Sequence, residues 1–416
     1  MIKNFLISSC LLLSLISFSQ SGTSSPYSFY GIGEAKFNGN VESRSMGGIS
    51  MIPDSTRINF QNPAGFANLK WTNFTIGVST DYKKQKSGTS DAVTRRTTLD
   101  YIALAVPLGK FGAGFGLIPY SSVGYNIENI YEDGSQNSKR FNGWGGMNRV
   151  FLGGGYRILP NLSIGASAYY NFGKINTNSV EFVPQLPIGS RELNVTTLSG
   201  LNLNLGLMYQ QKLKDKLTLF SSLYYTPKSI LVSNNERTIG TVTINSSFDY
   251  SPVDSYDPVV TKKDLNLPQK WALGVGIGDA KKWVFGADFA VQDVGKLYNT
   301  YNTLDNVTYE KYQRYGFGGY YTPTVNPFFS YAKRITYRAG FVYEKTGLVV
   351  NSTSINDLGM TLGVGLPITG SLTNLNLGLQ FGKKGTTSNN LVQENYIVVN
   401  LGFSLNDKWF VKSKYR

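Results

Sequence analysis

The chain has 416 residues, a formal net charge of +14, no histidine and one cysteine. That excludes Ser-His-Asp and Cys-His catalysis, any His-bearing metal site and an internal disulfide. Charged residues make up 16%, well under the roughly 25% of ordinary soluble proteins, whereas Gly (45), Tyr (27) and Phe (24) are plentiful.

Residues 1–20 read as a secretory signal peptide. Lys3 supplies the positive start, Phe5 to Phe18 the apolar core, and Ser17, Ser19 and Gln20 the small polar end. The core is too short to span a bilayer, and it leaves too little before Cys10 for a lipoprotein signal. No later run reaches the roughly 20 apolar residues of a membrane helix. Residues 21–70 do not alternate cleanly. They contain the Gly-rich stretch Ser43 to Ser50, then Asp54, then Asn59 to Ala67.

From Trp71 onward the pattern has period two. Leu201, Leu203, Leu205 and Leu207 interleave with Asn202, Asn204 and Gly206, and Leu375, Leu377, Leu379 and Phe381 with Asn376, Gly378 and Gln380. Such alternation puts an apolar set on one sheet face and an Asn/Gly/Thr set on the other. Lipid outside and a wet lumen inside satisfy it; a soluble sandwich would carry fewer glycines and more surface charge. The fold class expected is all-β: a 14-stranded antiparallel transmembrane β-barrel with an N-terminal hatch.

Strands are predicted at 71–82, 97–107, 111–119, 146–158, 161–173, 200–211, 216–227, 268–279, 282–293, 312–322, 333–344, 357–367, 372–382 and 393–405. The connections then alternate long and short, as an outer-membrane barrel with both termini periplasmic requires. An extra hairpin has room within 228–267 or 294–322. Trp71, Trp271 and Trp283 fall near strand ends, as interfacial girdles or as ordinary strand formers. The organisation expected is a signal peptide over 1–20, a hatch over 21–70, a barrel over 71–405 and a periplasmic tail over 406–416.

Asn62, Pro63 and Ala64 stand just before the first strand. With the small-residue stretch and an acidic residue ahead of them, they resemble the hatch motif of the FadL/TodX family of outer-membrane channels for hydrophobic compounds. Gly112 to Tyr125 is similar to that family's third strand, and Leu267-Pro268-Gln269-Lys270-Trp271 to its entry into strand eight. Tyr331 to Tyr343, Gly359 to Pro367 and Glu394 to Tyr415 look more like a branch that includes relatives of PorV, a secretion-machine barrel. The resemblance covers essentially the whole mature chain.

The resemblance implies an outer-membrane location in a Gram-negative bacterium and passive uptake of fatty-acid-like molecules by lateral diffusion. It also implies a kink at Gly112, Gly114, Gly116 and Pro119 that opens the wall; the residues alone equally allow Pro119 to end a strand. The alternative is a non-transporting barrel subunit of a secretion or barrel-assembly complex. Arg44, Arg149 and Arg157 are candidates for an acidic head group, each with pairing to a carboxylate as the plainer reading. Lys83, Lys84, Lys86, Arg95 and Arg96 form an outer basic cluster, solvated or placed against lipopolysaccharide. Trp409 and Phe410 lie in a basic aromatic tail that folds under the barrel or docks a periplasmic partner. Membrane lipids, a hydrophobic ligand and complex subunits are the expected partners. No nucleic acid, cofactor, metal or enzymatic activity is expected.

Overall fold

The computed structural model describes residues 22–409, except 89, 132–134, 185, 215, 246, 248, 295–305, 325, 327–328 and 369–371. The signal peptide expected over 1–20, and Phe410 with the tail beyond it, lie outside the described residues.

Fourteen wall strands form one antiparallel sheet. They are β1 (Thr72–Lys86), β2 (Asp91–Leu108), β3 (Phe111–Asn129), β4 (Ser138–Leu159), β5 (Leu162–Phe182) and β6 (Ile188–Lys214). Next come β7 (Leu217–Thr226, continuing as Ser229–Ile244), β8 (Val259–Leu267, continuing as Lys270–Asp279) and β9 (Trp283–Asp293). The rest are β10 (Val307–Tyr309 and Lys311–Tyr321), β11 (Thr336–Val350), β12 (Thr353–Pro367), β13 (Asn374–Lys384) and β14 (Gln393–Asp407). β14 returns to β1, from Asp407 opposite Thr72 to Gln393 opposite Lys86, so the sheet closes on itself.

The alternation in sequence becomes an inversion of the soluble rule. Leu201 and Leu203 are 67% and 52% exposed, while Asn202 and Asn204 are 7% and 3%. Only an outer face solvated by hydrocarbon makes that arrangement favourable, which removes the soluble sandwich.

The strands run further than expected on the long-connection side. The expected loop 83–96 becomes a strand pair with a turn at 87–90, and 174–199 becomes the upper parts of β5 and β6. Above the bilayer both faces are wet, so hydrophobic alternation fades while the backbone still needs partners. Among the described residues of 228–267 there is no additional wall strand: β7 and β8 continue upward past Pro227 and Pro268, and Tyr250–Ser255 folds back on the tip of β7. By the polarity of such barrels the short-turn end is periplasmic.

Residues 22–70 lie inside the wall and pack against it in several buried apolar clusters. Val41, Ile58, Phe60, Phe66 and Leu69 pack with Tyr101, Ala103, Ala105, Phe151 and Tyr169. Met46, Ile49, Met51 and Ile52 pack with Phe220, Val284 and Tyr320. Tyr27 reaches Leu348, Val350, Ile355 and Leu391 at the long-hairpin end.

Candidate functional site: a break in the wall and the cavity behind it

The break lies between β2 and β3. These strands pair only from Ile102 opposite Leu117 down to Leu108 opposite Phe111. Above that, β2 pairs with β1 and β3 with β4, but not with each other. Local chemistry separates them. β2 carries a bulge at Asp100, the unpaired residue between Tyr101 and Leu99 opposite Gly77 and Val78. β3 carries another at Tyr120, where the register shifts between Pro119 and Ser121. Across from it Gly145 and Gly146 of β4 have φ of 113° and 143°, and a Cβ on Gly146 would run into the Ser121 carbonyl. Only glycine suits that backbone.

Residues 22–36 fill the break from the lumen side. Ser24 Oγ lies 2.7 Å from Thr94 Oγ1 of β2, and Gln85 of β1 donates to the Ser24 carbonyl at 2.5 Å. Toward β3, Glu34 and Ala35 pair with Ser122 and Ser121, and Lys36 N donates to the Tyr120 carbonyl at 2.9 Å. Ser121 Oγ donates to the Ile32 carbonyl at 2.8 Å, and Gly124 N to Ser28 Oγ at 3.0 Å. Edge groups that lipid could not satisfy therefore find partners in this segment.

Glu34 anchors it. Its carboxylate takes hydrogen bonds from Lys384 Nζ of β13 at 2.8 Å, Lys83 Nζ of β1 at 3.3 Å and Thr23 Oγ1 at 2.6 Å. Burial alone would raise the pKa of Glu34; the charges of Lys384, Lys83 and Lys36 outweigh it and hold the carboxyl well below the ordinary range. Burial holds the Lys36 amine below its usual value, against the pull of Glu34. Lys83 therefore does not belong with the outer basic cluster. It is 5% exposed and faces the lumen, sharing the parity of Ser79 and Asp81. Lys84, paired at 3.5 Å with Asp91, and Arg95, over the Tyr82 ring at 5.2 Å, do lie outside.

Lower down, Asn62-Pro63-Ala64 opens a 3₁₀ turn over Pro63–Asn68. Asn62 is fully buried and spends its whole amide: Nδ2 donates to the Leu207 and Leu223 carbonyls at 3.1 and 3.2 Å, and Oδ1 accepts from Ala64 N at 3.0 Å. The turn sits directly on wall glycines. A Cβ on Gly165 would strike Pro63, one on Gly206 the Asn62 amide, and one on Gly112 the Phe66 carbonyl. Gly112 and Gly114 thus lie beneath Phe66, well below the break, and Gly116 stands against Ile102 and Ala103; the bend itself falls at Pro119–Tyr120. The glycines of β4 opposite the bend escaped sequence reading, although the pair Gly145-Gly146 and the run Gly153 to Gly155 were visible.

A cavity of about 410 Å³ lies behind the break, walled by Tyr27, residues 30–38, the bend at Pro119–Ser121 and the opposite strands. Arg44 and Arg149 line it; Arg157 does not, and instead donates to the Ala67 carbonyl at 2.7 Å. Arg44 is occupied by Asp100 at 3.5 Å and Asn400 at 2.6 Å. Arg149 is 7% exposed and rests on the rings of Tyr120 and Tyr169, 3.9 and 5.0 Å from their centroids. Lys270 and Arg314 complete this side of the wall. At the other end of the chain Trp409 is 47% exposed, and Lys408 lies over the Trp71 ring at 4.8 Å.

Comparison with solved structures gives the same barrel. The Ralstonia pickettii toluene transporter TbuX is similar at a TM-score of 0.61 and 14% identity, over 89% of this chain and 99% of that one. The Pseudomonas putida toluene transporter TodX is similar at 0.59 and 18%, over 90% and 98%. A Pseudomonas aeruginosa FadL homologue is similar at 0.60 and 11%, over 91% and 100%. At these identities the likeness establishes the fold, the FadL-type barrel expected from the sequence. No curated protein sequence matches the chain. The model of the family described as BamG matches residues 1–416, and the chain belongs to the BamG family.

Proposed function

We propose that the protein is an integral outer-membrane barrel of FadL type that takes up small hydrophobic molecules passively, releasing them sideways between β2 and β3. The observation that carries this reading is the unpaired upper half of those two strands with a cavity directly behind it. Strand edges that lipid cannot satisfy are costly, and here residues 22–36 satisfy them in place of direct β2–β3 pairing, so the wall can part where this segment yields. The bend at Pro119 and Tyr120 shapes the opening, residues 21–70 act as the hatch, and Asn62-Pro63-Ala64 fixes its lower part. Export through residues 1–20, residence in a Gram-negative outer membrane and contact of Lys84, Lys86 and Arg95 with lipopolysaccharide phosphates belong to the same reading; Arg96, opposite Asp81, shares the lumen face with Lys83 and Thr94 and is not part of that contact. Binding and diffusion account for the site; no catalytic step is assigned. Reconstituted protein should speed entry of a hydrophobic dye into liposomes, and a rate equal to that of protein-free vesicles would sink the proposal.

A second reading has its own support. The break is filled by a segment held by buried ion pairs, which suits a non-transporting subunit of an outer-membrane secretion or barrel-assembly complex, with the Trp409–Phe410 tail as a docking element. Gentle extraction from native outer membrane separates the two. Partners in fixed stoichiometry together with absent dye entry would establish the second reading.

A further inference from the structure

The cations around the cavity are not equally matched. Arg314 donates to the Gly47 carbonyl at 2.6 Å and has Glu344 at 3.9 Å. Arg44 has Asp100. Arg149 and Lys270 have no carboxylate within ion-pair distance among the described residues. Their neighbours are rings: Tyr120 and Tyr169 for Arg149, and Tyr312, 5.6 Å from Lys270 Nζ. Arg149 Nε is buried without a hydrogen-bond partner. Lys270 also feels Arg149 and Arg314 as like charges, with Glu344 as the one opposing group among its main electrostatic neighbours. Asp288, the nearby acid that reaches Arg314 electrostatically, is taken up by Ser50 N and Oγ at 2.7 and 2.6 Å.

Two cations without a carboxylate at ion-pair distance in a low-dielectric wall destabilise the empty site, and an unsatisfied buried guanidinium N–H adds to that. An anion lodged between them removes both costs. Its oxygens must reach two donors on different strands, β4 and β8, and its charge should offset both. A carboxylate brings one charge in one plane. A phosphate group brings nearly two, with tetrahedral oxygens that can reach both cations.

We propose that this cavity binds a phosphate group, held between Arg149 and Lys270. The group can come from a soluble organic phosphate entering from the lumen or from a lipid phosphate monoester entering through the break. The site would fill whether or not the barrel conducts, so the inference does not rest on the uptake reading.

The test is equilibrium binding to the purified full-length protein in a neutral detergent. The probes are inorganic phosphate, glycerol 3-phosphate, phosphatidic acid in mixed micelles, and acetate. Saturable binding of inorganic phosphate or glycerol 3-phosphate is expected, with Lys270→Met and Arg149→Gln each weakening it at least about tenfold. Arg149→Lys should recover part of the loss, and Lys84→Gln on the outer hairpin should change nothing. Tighter binding of phosphatidic acid than of glycerol 3-phosphate would assign the group to a lipid, and the reverse order to a soluble ligand. Lys270→Met guards against a folding artefact, because Lys270 Nζ donates no hydrogen bond among the described residues and the backbone pairing of Lys270 is kept. Acetate binding as tightly as phosphate, or phosphate binding indifferent to both variants, would overturn the proposal.

Discussion

Glu34 accepts a hydrogen bond from Lys384 Nζ at 2.8 Å, and this contact ties the segment that fills the β2–β3 break to β13 at the seam of the barrel. Lys83 of β1 holds the other carboxylate oxygen at 3.3 Å. Removing the charge of Glu34 leaves two lysines in a poorly solvated wall with less to bind. Glu34→Gln should therefore loosen residues 22–36 by about 2–4 kcal/mol. A spin label at Ser24 would become mobile, while heat-resistant migration of the folded barrel persists. An immobile label in Glu34→Gln would show that the ion pairs do not anchor the segment.

The same contact predicts an acid response. Lys384 and Lys83 hold the Glu34 carboxyl well below the ordinary range, against its burial. A carboxylate depressed in the folded state contributes fully above its unfolded pKa, about 4.3 for Glu. That contribution is lost only as pH falls through the depressed folded value. Label mobility at Ser24 should stay flat from neutral pH to about 5 and rise well below 4. Arg57 likewise lowers Asp54 against its burial, so both groups act in the same direction. A rise in mobility between pH 7 and 5 would point to other titrating groups.

Asn62 offers a sharper substitution. Its Nδ2 caps two wall carbonyls and its Oδ1 caps Ala64 N. Asn62→Ala leaves all three unsatisfied and should cost about 2–3 kcal/mol. Asn62→Asp keeps the cap on Ala64 but loses both donors and places an acid against two carbonyls, so it should be at least as damaging. Thermal unfolding followed by circular dichroism would report both. A melting temperature unchanged in either variant would remove Asn62 from the packing argument.

The bend in β3 depends on its neighbour more than on Pro119. Gly146 of β4 has a φ of 143°, with the Ser121 carbonyl where a Cβ would go. Gly146→Val should cost about 3 kcal/mol or distort the bend. Pro119→Val should cost less, because the bulge at Tyr120 and the pairing of Glu34 with Ser122 remain. Denaturant titration of the two variants would rank them, and a larger loss in Pro119→Val would assign the bend to the proline.

The wall was legible because lipid on one side and a wet lumen on the other impose a strict two-residue period, seen in Leu201 to Leu207 and Leu375 to Phe381. Its strand count followed from counting the alternating segments, and the long and short connections agreed with it. Strand lengths above the bilayer were not legible, since β5 and β6 there lose their apolar face but keep their hydrogen bonds. Asn62 stood out through its neighbours Pro63 and Ala64. Glu34, Lys270 and Lys384 did not, because three charges far apart in the chain carry no local pattern. Lys83 looked like one of a run of loop lysines. Only the register of β1 against β14 turns it inward.

The most direct test of a lateral route is to lock it. Ser24 of the segment that fills the break and Thr94 of β2 have their hydroxyl oxygens 2.7 Å apart, and a disulfide after Ser24→Cys and Thr94→Cys would pin that segment to the β2 edge. The chain's single cysteine is Cys10, so Cys10→Ser removes the one competing thiol. Entry of a hydrophobic dye into liposomes carrying the double variant would be measured oxidised and then reduced. The account predicts that oxidation abolishes entry and reduction restores it. Equal entry in both states would contradict passage between β2 and β3.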